Sequence, residues 1–446
     1  MWKDLTTLLD ERSIVPQFPD DSTAQRLLPE ITYPDFFTLT QEPELPSLED
    51  VESAARQAVS QLELERISHG DTVALGLGSR GITDVVPAAV GIVTELQSRG
   101  YDVVAIPAMG SHGGADAAGQ RKTLASLGLD EATLGCPIDA RMETRLLEET
   151  ELGNEVHVSK AALAADGICV LNRIKPHTNF VGAFESGLTK MICIGLGKRR
   201  GAQAIHQRAI VDGYEATFRT TFDLIDAQTT VLGGVAIVEN FVSETAEVTG
   251  ISASALPDAE SPLLERAYDY LPTLPFDDLD VLIVDKIGKE ISGAGMDPNV
   301  TGRYRLPNMD DPPVPDITRI VVRGLTEATD GNAMGIGLAD VTVVDVIEQV
   351  DLESMYANAL TSGSIQKVGL PLAMPNDERA FQAALSAIGS WDPATVRIAW
   401  VASTSSLAQL HVSPALAKLA RDRDDLVVGD RYHLAFDNGS AHLTEP

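Results

Sequence analysis

The sequence predicts an α/β protein made of two α/β domains, each built on a parallel or mixed sheet, with an active-site cleft between them. Two observations lead there. Short apolar runs alternate with stretches of helical spacing in the strand, loop, helix, strand order of a parallel sheet. The chain of 446 residues also has room for two or three domains at roughly 100–200 residues each.

Taken in order, the first fifty residues contain Pro16, Pro19, Pro29, Pro34, Pro43 and Pro46. These forbid a long helix, so an irregular lead-in wrapping the core is expected. Apolar spacing then predicts a helix over 51–64, a strand over 72–78, a helix over 85–97 with Asp84 at its N-cap and Gly100 at its stop, and a strand over 102–107. Further strands are expected over 167–171, 190–194 and 230–238, with a helix over 200–209. The stretch 258–278, with Pro272 and Pro275, reads as a boundary. Beyond it, 280–284, 317–322, 341–346 and 395–401 read as a second set of strands. The expected domains are 1–270 and 276–430, with 431–446 a tail packing back on the first.

Composition excludes several functions. There are 65 acidic and 34 basic residues, a formal net charge of −31, so the protein's field repels polyanions, and neither a nucleic-acid nor an anionic-membrane partner is expected. No apolar run reaches the ~18–20 residues of a membrane span, and the first residues lack a signal pattern, so a cytoplasmic protein is expected. Cys136, Cys169 and Cys193 are odd in number and lie in no C-x-x-C pair, which argues against disulfides and zinc. The acid is dispersed, and only 10 of the 34 basic residues are lysine. Such a surface is expected of a halophilic protein, whose hydrated carboxylates keep it solvated while salt screens their repulsion.

Against that background one segment stands out. It runs from Asn172–Arg173–Ile174–Lys175–Pro176–His177 through Glu185–Ser186–Gly187–Leu188–Thr189–Lys190 to Gly195–Leu196–Gly197–Lys198 and His206. It begins directly after an apolar strand, where α/β enzymes place reactive groups, and His112 follows a different strand of the same expected sheet. Two histidines on separate loops can each exchange a proton near neutral pH. Arg80 can hold a carboxylate bidentately. Lys190, in an apolar run, can be desolvated and made nucleophilic or snorkel to solvent. His206 is suited to ligate a metal. Gly195–Leu196–Gly197–Lys198 lacks the spacing of a phosphate-binding loop. The set points to an enzyme acting on a small carboxylate-bearing molecule. A nickel-independent, histidine-based isomerase or dehydratase of a sugar acid, and a carboxylate-binding protein without catalysis, remain open alternatives.

Five motifs, Gly78–Ser79–Arg80–Gly81, Met109–Gly110–Ser111–His112–Gly113–Gly114, Lys175–Pro176–His177, Ser186–Gly187–Leu188–Thr189–Lys190 and the later His206, together resemble the nickel-dependent lactate racemase superfamily over about residues 70–250. The resemblance implies a 2-hydroxy acid racemase or epimerase whose first domain is catalytic and tethers the cofactor. That cofactor is a nickel pincer nucleotide, the pyridinium-3,5-bisthiocarboxylic acid mononucleotide, attached to Lys190 with His206 as metal ligand. It implies His112 and His177 as the catalytic pair, Arg80 and Lys289 as substrate-binding residues, and Lys175 and Lys198 beside Lys190 as cofactor-binding residues. The implied partners are a small hydroxy acid and, transiently, cofactor-synthesis proteins, with a homo-oligomer left open. The chain departs from the racemase pattern at Leu77, where an Asp is usual, and at Lys286, which takes the place of a Gln three residues before Lys289. Both changes bear on the substrate more than on the cofactor.

Overall fold

In the computed structural model, which describes residues 18–79, 81–306 and 310–446, the alternating pattern becomes two large sheets and a hairpin. The chain falls into two units, one of residues 43–272 and one of residues 18–42 with 273–446. Strand β1 (Phe36–Gln41) belongs to the second unit. The first unit holds β2 (Thr72–Leu77), β3 (Asp102–Pro107), the hairpin β4 (Thr144–Glu149) and β5 (Glu155–Ser159), then β6 (Gly167–Arg173), β7 (Val231–Glu239) and β8 (Thr245–Ser252).

Its main sheet has the order β3-β2-β6-β7-β8, parallel except for the last pair. Alternation within the strands produces two cores. Val73, Leu75 and Leu77 face the helices α1 (Val51–Ala58) and α2 (Val85–Ser98), meeting Ala55, Ile92 and Leu96. Ala74, Val170 and Ala236 face the other way, against Ile192, Ile205 and Phe218. Those last two side chains lie on helices α4 (Lys198–Asp212) and α5 (Tyr214–Gln228), while α3 (Ala117–Ser126) follows β3. Burying both faces is what makes these strands continuous apolar runs. Leu77 pairs with both Pro107 and Leu171, so the three strands end side by side and the loops after them open from one sheet edge.

Two local expectations are corrected. Residues 190–194 are not a strand: an α-helical turn, Leu188–Lys190, runs on into a π-helical turn, Met191–Gly195. The run is apolar at nearly every position, and such a pattern does not separate a buried helix from a buried strand. The strand expected over 341–346 stops at Val343, and Val344–Glu348 is helical.

The second unit has a nine-stranded mixed sheet, ordered β12-β11-β10-β9-β13-β14-β1-β15-β16. Its members are β9 (Asp278–Val284), β10 (Asp316–Val322), β11 (Val341–Val343), β12 (Leu372–Met374), β13 (Ile398–Val401), β14 (Gln409–Val412), β15 (Leu426–Asp437) and β16 (Ser440–Thr444). The division into 1–270 and 276–430 therefore differs from the structure at both ends. Part of the lead-in is β1, paired antiparallel with β14 and β15, and the tail 431–446 completes the β15–β16 hairpin of this same sheet. Among the described residues no helix is long and apolar enough to cross a membrane.

Arg323, at the end of β10, fastens this unit. Its guanidinium reaches Asp285 at 2.5 Å and Asp377 at 2.6 Å, and lies 4.8 Å from the Trp400 ring centroid. Asp377 opens helix α7 (Asp377–Ser386), and its carboxylate also accepts the Ala441 N–H at 3.0 Å. Replacing Arg323 by Ala strands two carboxylates, one of them buried, and should destabilise this unit by about 3–5 kcal/mol. Lys should not restore the loss, because it cannot fork and stack at once. The urea midpoint of the variants measures both effects.

Candidate active site

The turn carrying Lys190 is anchored by a carboxylate distant in sequence. Glu260, fully buried just before helix α6 (Ser261–Asp269), accepts the N–H of Leu188 at 3.1 Å, the N–H of Thr189 at 2.7 Å and the Thr189 hydroxyl at 2.5 Å. These are the orphan donors of a helix start, where an anion is also favoured by the peptide dipoles. Burial nevertheless dominates and pushes the Glu260 carboxyl up to about 7, the three hydrogen bonds opposing it. Gly187 is required here because a Cβ would collide with that carboxylate and with Ile174.

From this turn the Lys190 ammonium lies 5.9 Å from the Phe180 ring centroid. Phe180 stacks on Tyr214 at 4.2 Å and on the His177 imidazole at 4.3 Å. The Tyr214 hydroxyl meets Nδ1 of His206 at 3.0 Å. Three of the residues singled out in the sequence, Lys190, His177 and His206, are thus gathered around two aromatic rings. Burial, assisted by the Lys190 charge, lowers the His206 pKa to about 4. The ring is neutral at neutral pH, with Nδ1 engaged and Nε2 the atom suited to ligate.

The loop of His177 closes on Glu185. Its Oε2 accepts the His177 N–H, and its Oε1 accepts the N–H of Gly182 at 3.2 Å and the hydroxyl of Tyr268 at 2.9 Å. Burial pushes Glu185 up to about 7, against these hydrogen bonds and the nearby Lys190 charge.

His112 stands at the edge on its own loop, exposed, its Nδ1 hydrogen-bonded to the Ser79 hydroxyl. The carbonyls of Gly110 and His112 accept from the Gln120 amide at 3.0 and 3.3 Å. Gln120 in turn accepts from the Lys198 ammonium at 2.9 Å, which also donates to the Pro107 carbonyl at 2.5 Å. Lys198 is 1 % exposed, and burial lowers its pKa to about 8. Expected beside the cofactor, Lys198 here turns its side chain inward and holds the end of β3 and the His112 loop. Lys175 pairs through its backbone with Ser186. Arg80 lies outside the described residues. Lys289 belongs to the other unit, where its ammonium donates to the Gly293 carbonyl at 2.6 Å.

Residues 82–217 match the family model of the lactate racemase N-terminal domain. This domain belongs to the lactate racemase-like family. No curated protein matches the chain. The matched segment carries His112, Lys175, His177, Lys190, Lys198 and His206, whereas Ser79, Glu260 and Tyr268 lie outside it. Among the described residues, no group of three or more His, Cys, Asp or Glu side chains stands ready to hold a metal.

Phe180, Tyr214, Glu185 and Glu260 were not assigned roles from the sequence. Nothing near Glu260 announced its partners, 71 and 72 residues away.

Because its folded pKa lies above the ordinary value of 4.5, Glu260 binds its proton more tightly in the folded state. Its contribution to stability is complete below about pH 4.5 and is lost as pH rises toward about 7, by at most about 3 kcal/mol. In Glu260→Gln this component should be absent, so the gap between variant and wild-type urea midpoints should change between pH 5 and pH 8. Glu260→Ala should cost about 1–3 kcal/mol for each stranded donor at either pH.

Proposed function

We propose that the protein racemises or epimerises a 2-hydroxy acid using a lysine-tethered nickel pincer nucleotide. The observation that carries this reading is the cluster in which the Lys190 amine, the neutral His206 imidazole and His177 share the Phe180–Tyr214 ring pair. A lysine beside the neutral His206 imidazole suits a metal whose other donors come from a bound group. Lys190 would carry the nucleotide as a thioamide, and His206 would ligate nickel through Nε2. When bound, the group supplies a hydride acceptor.

The chain's own residues do the rest. Arg80 holds the substrate carboxylate and so fixes which groups face the histidines. His112 exchanges the hydroxyl proton at Nε2, its Nδ1 being held by Ser79. The Phe180 and Tyr214 rings lend an apolar flank to Lys190 and His206, which strengthens the charge interaction between them.

The test is protein purified from a host that makes the cofactor. Intact mass should show an adduct that Lys190→Ala lacks, and metal analysis should show nickel that His206→Ala loses while keeping its circular dichroism. His112→Ala should lower kcat by about 10²–10⁴ in a polarimetric assay with 2-hydroxy acids. Wild-type protein with neither adduct nor nickel would sink the reading.

A further inference from the structure

The two histidines of the proposed reaction have partners of different kind. His112 faces the Ser79 hydroxyl, which can donate or accept by rotating, so either tautomer of that ring is accommodated. His177 faces a backbone amide: the N–H of Asn179 donates to its Nδ1 at 3.0 Å. A peptide N–H has no second role. A nitrogen that accepts from it carries no proton, so the neutral His177 ring keeps its proton on Nε2. Turning the ring over would set a C–H against the same donor, so the Asn179 amide selects the present orientation.

The Asn179 N–H points at the ring because of the shape of the 177–185 loop, and Glu185 sets that shape. Its two oxygens gather the His177 N–H, the Gly182 N–H and the Tyr268 hydroxyl. Tyr268, on α6, ties the loop to a part of the chain 83 residues away from Glu185. At 1 % exposure, Glu185 has no water to replace a lost donor.

We propose that Glu185 and Tyr268 are positioning residues that hold the resting His177 ring as an Nε2–H donor. The inference rests on the reading of both histidines as substrate-facing. In that state His177 meets the substrate oxygen by donating from Nε2, whereas the serine partner of His112 follows either tautomer of its ring.

The loop is tested on protein without cofactor, so its outcome is independent of whether nickel is ever loaded. In ¹⁵N-labelled wild type at pH 8, His177 Nδ1 should appear unprotonated and show a coupling across the hydrogen bond to the Asn179 amide nitrogen, with Nε2 protonated. Glu185→Gln, whose amide can no longer accept from donors on both sides, should lose that coupling. Tyr268→Phe, a milder change, should speed Asn179 amide exchange by about 2- to 10-fold. A protonated Nδ1 in wild type, or an unchanged coupling in Glu185→Gln with unchanged exchange in Tyr268→Phe, overturns the proposal.

Discussion

The geometry of the site depends on one buried carboxylate. Glu260 has no water around it, and an ionised acid in such surroundings is tolerated only when donors replace the lost hydration. Those donors are the first amides of the turn that carries Lys190, so the charge and the turn need each other. Eight residues on, Tyr268 of the same segment reaches Glu185 and through it the loop of His177. One short stretch, beyond the residues that match the racemase domain, therefore holds both the lysine turn and a histidine loop. A substitution in α6 would be felt as a misplaced active site as much as a loss of stability.

The His112 side is held by an equally indirect device. Lys198 adopts a left-handed backbone with φ of 53°, a conformation that costs a non-glycine residue on the order of 1–2 kcal/mol. Its ammonium is then buried where burial disfavours charge, and Asp139 offsets this in part. Hydrogen bonds to Pro107 and Gln120 compensate, and Gln120 passes the constraint to the carbonyls of Gly110 and His112. The glycines before it serve close approach: a Cβ at Gly195 would run into the Ala108 carbonyl, and one at Gly197 into that of Cys193. The Gly195–Leu196–Gly197–Lys198 run that superficially suggests a phosphate loop is a packing joint.

This also explains what the sequence could and could not reveal. Parallel strands of the first unit were legible because both faces are buried and their apolar runs are bounded by Gly100, Gly78 and polar loops. His112, His177, Lys190 and His206 stood out in the sequence because they follow strand ends or cluster in a lysine-poor chain, and three of them, His177, Lys190 and His206, come together around the Phe180–Tyr214 rings. Strand β1 was hidden by its prolines, since Pro34 and Pro43 flank the paired residues and do not interrupt them. The Lys190 turn was misread because a uniformly apolar run carries no period. Glu185, Tyr268 and Glu260 were invisible as a group, for their meaning lies in hydrogen bonds across 71 to 83 residues, which no local pattern encodes.

The net charge of −31 gains a sharper meaning from these contacts. The proposed anionic substrate and nucleotide would need local cations in so acidic a protein, yet burying them wastes their field. Lys198 is spent internally, and Arg173 is paired with Glu239. Lys190 remains close enough to oppose protonation of His206 and to favour ionisation of Glu185. A single ammonium thus biases the His206 imidazole toward its neutral form and the loop-closing Glu185 carboxyl toward its charged form. Those are the two states the proposed reading calls for. If a covalent bond to a cofactor removed that charge, both groups would be released from it together.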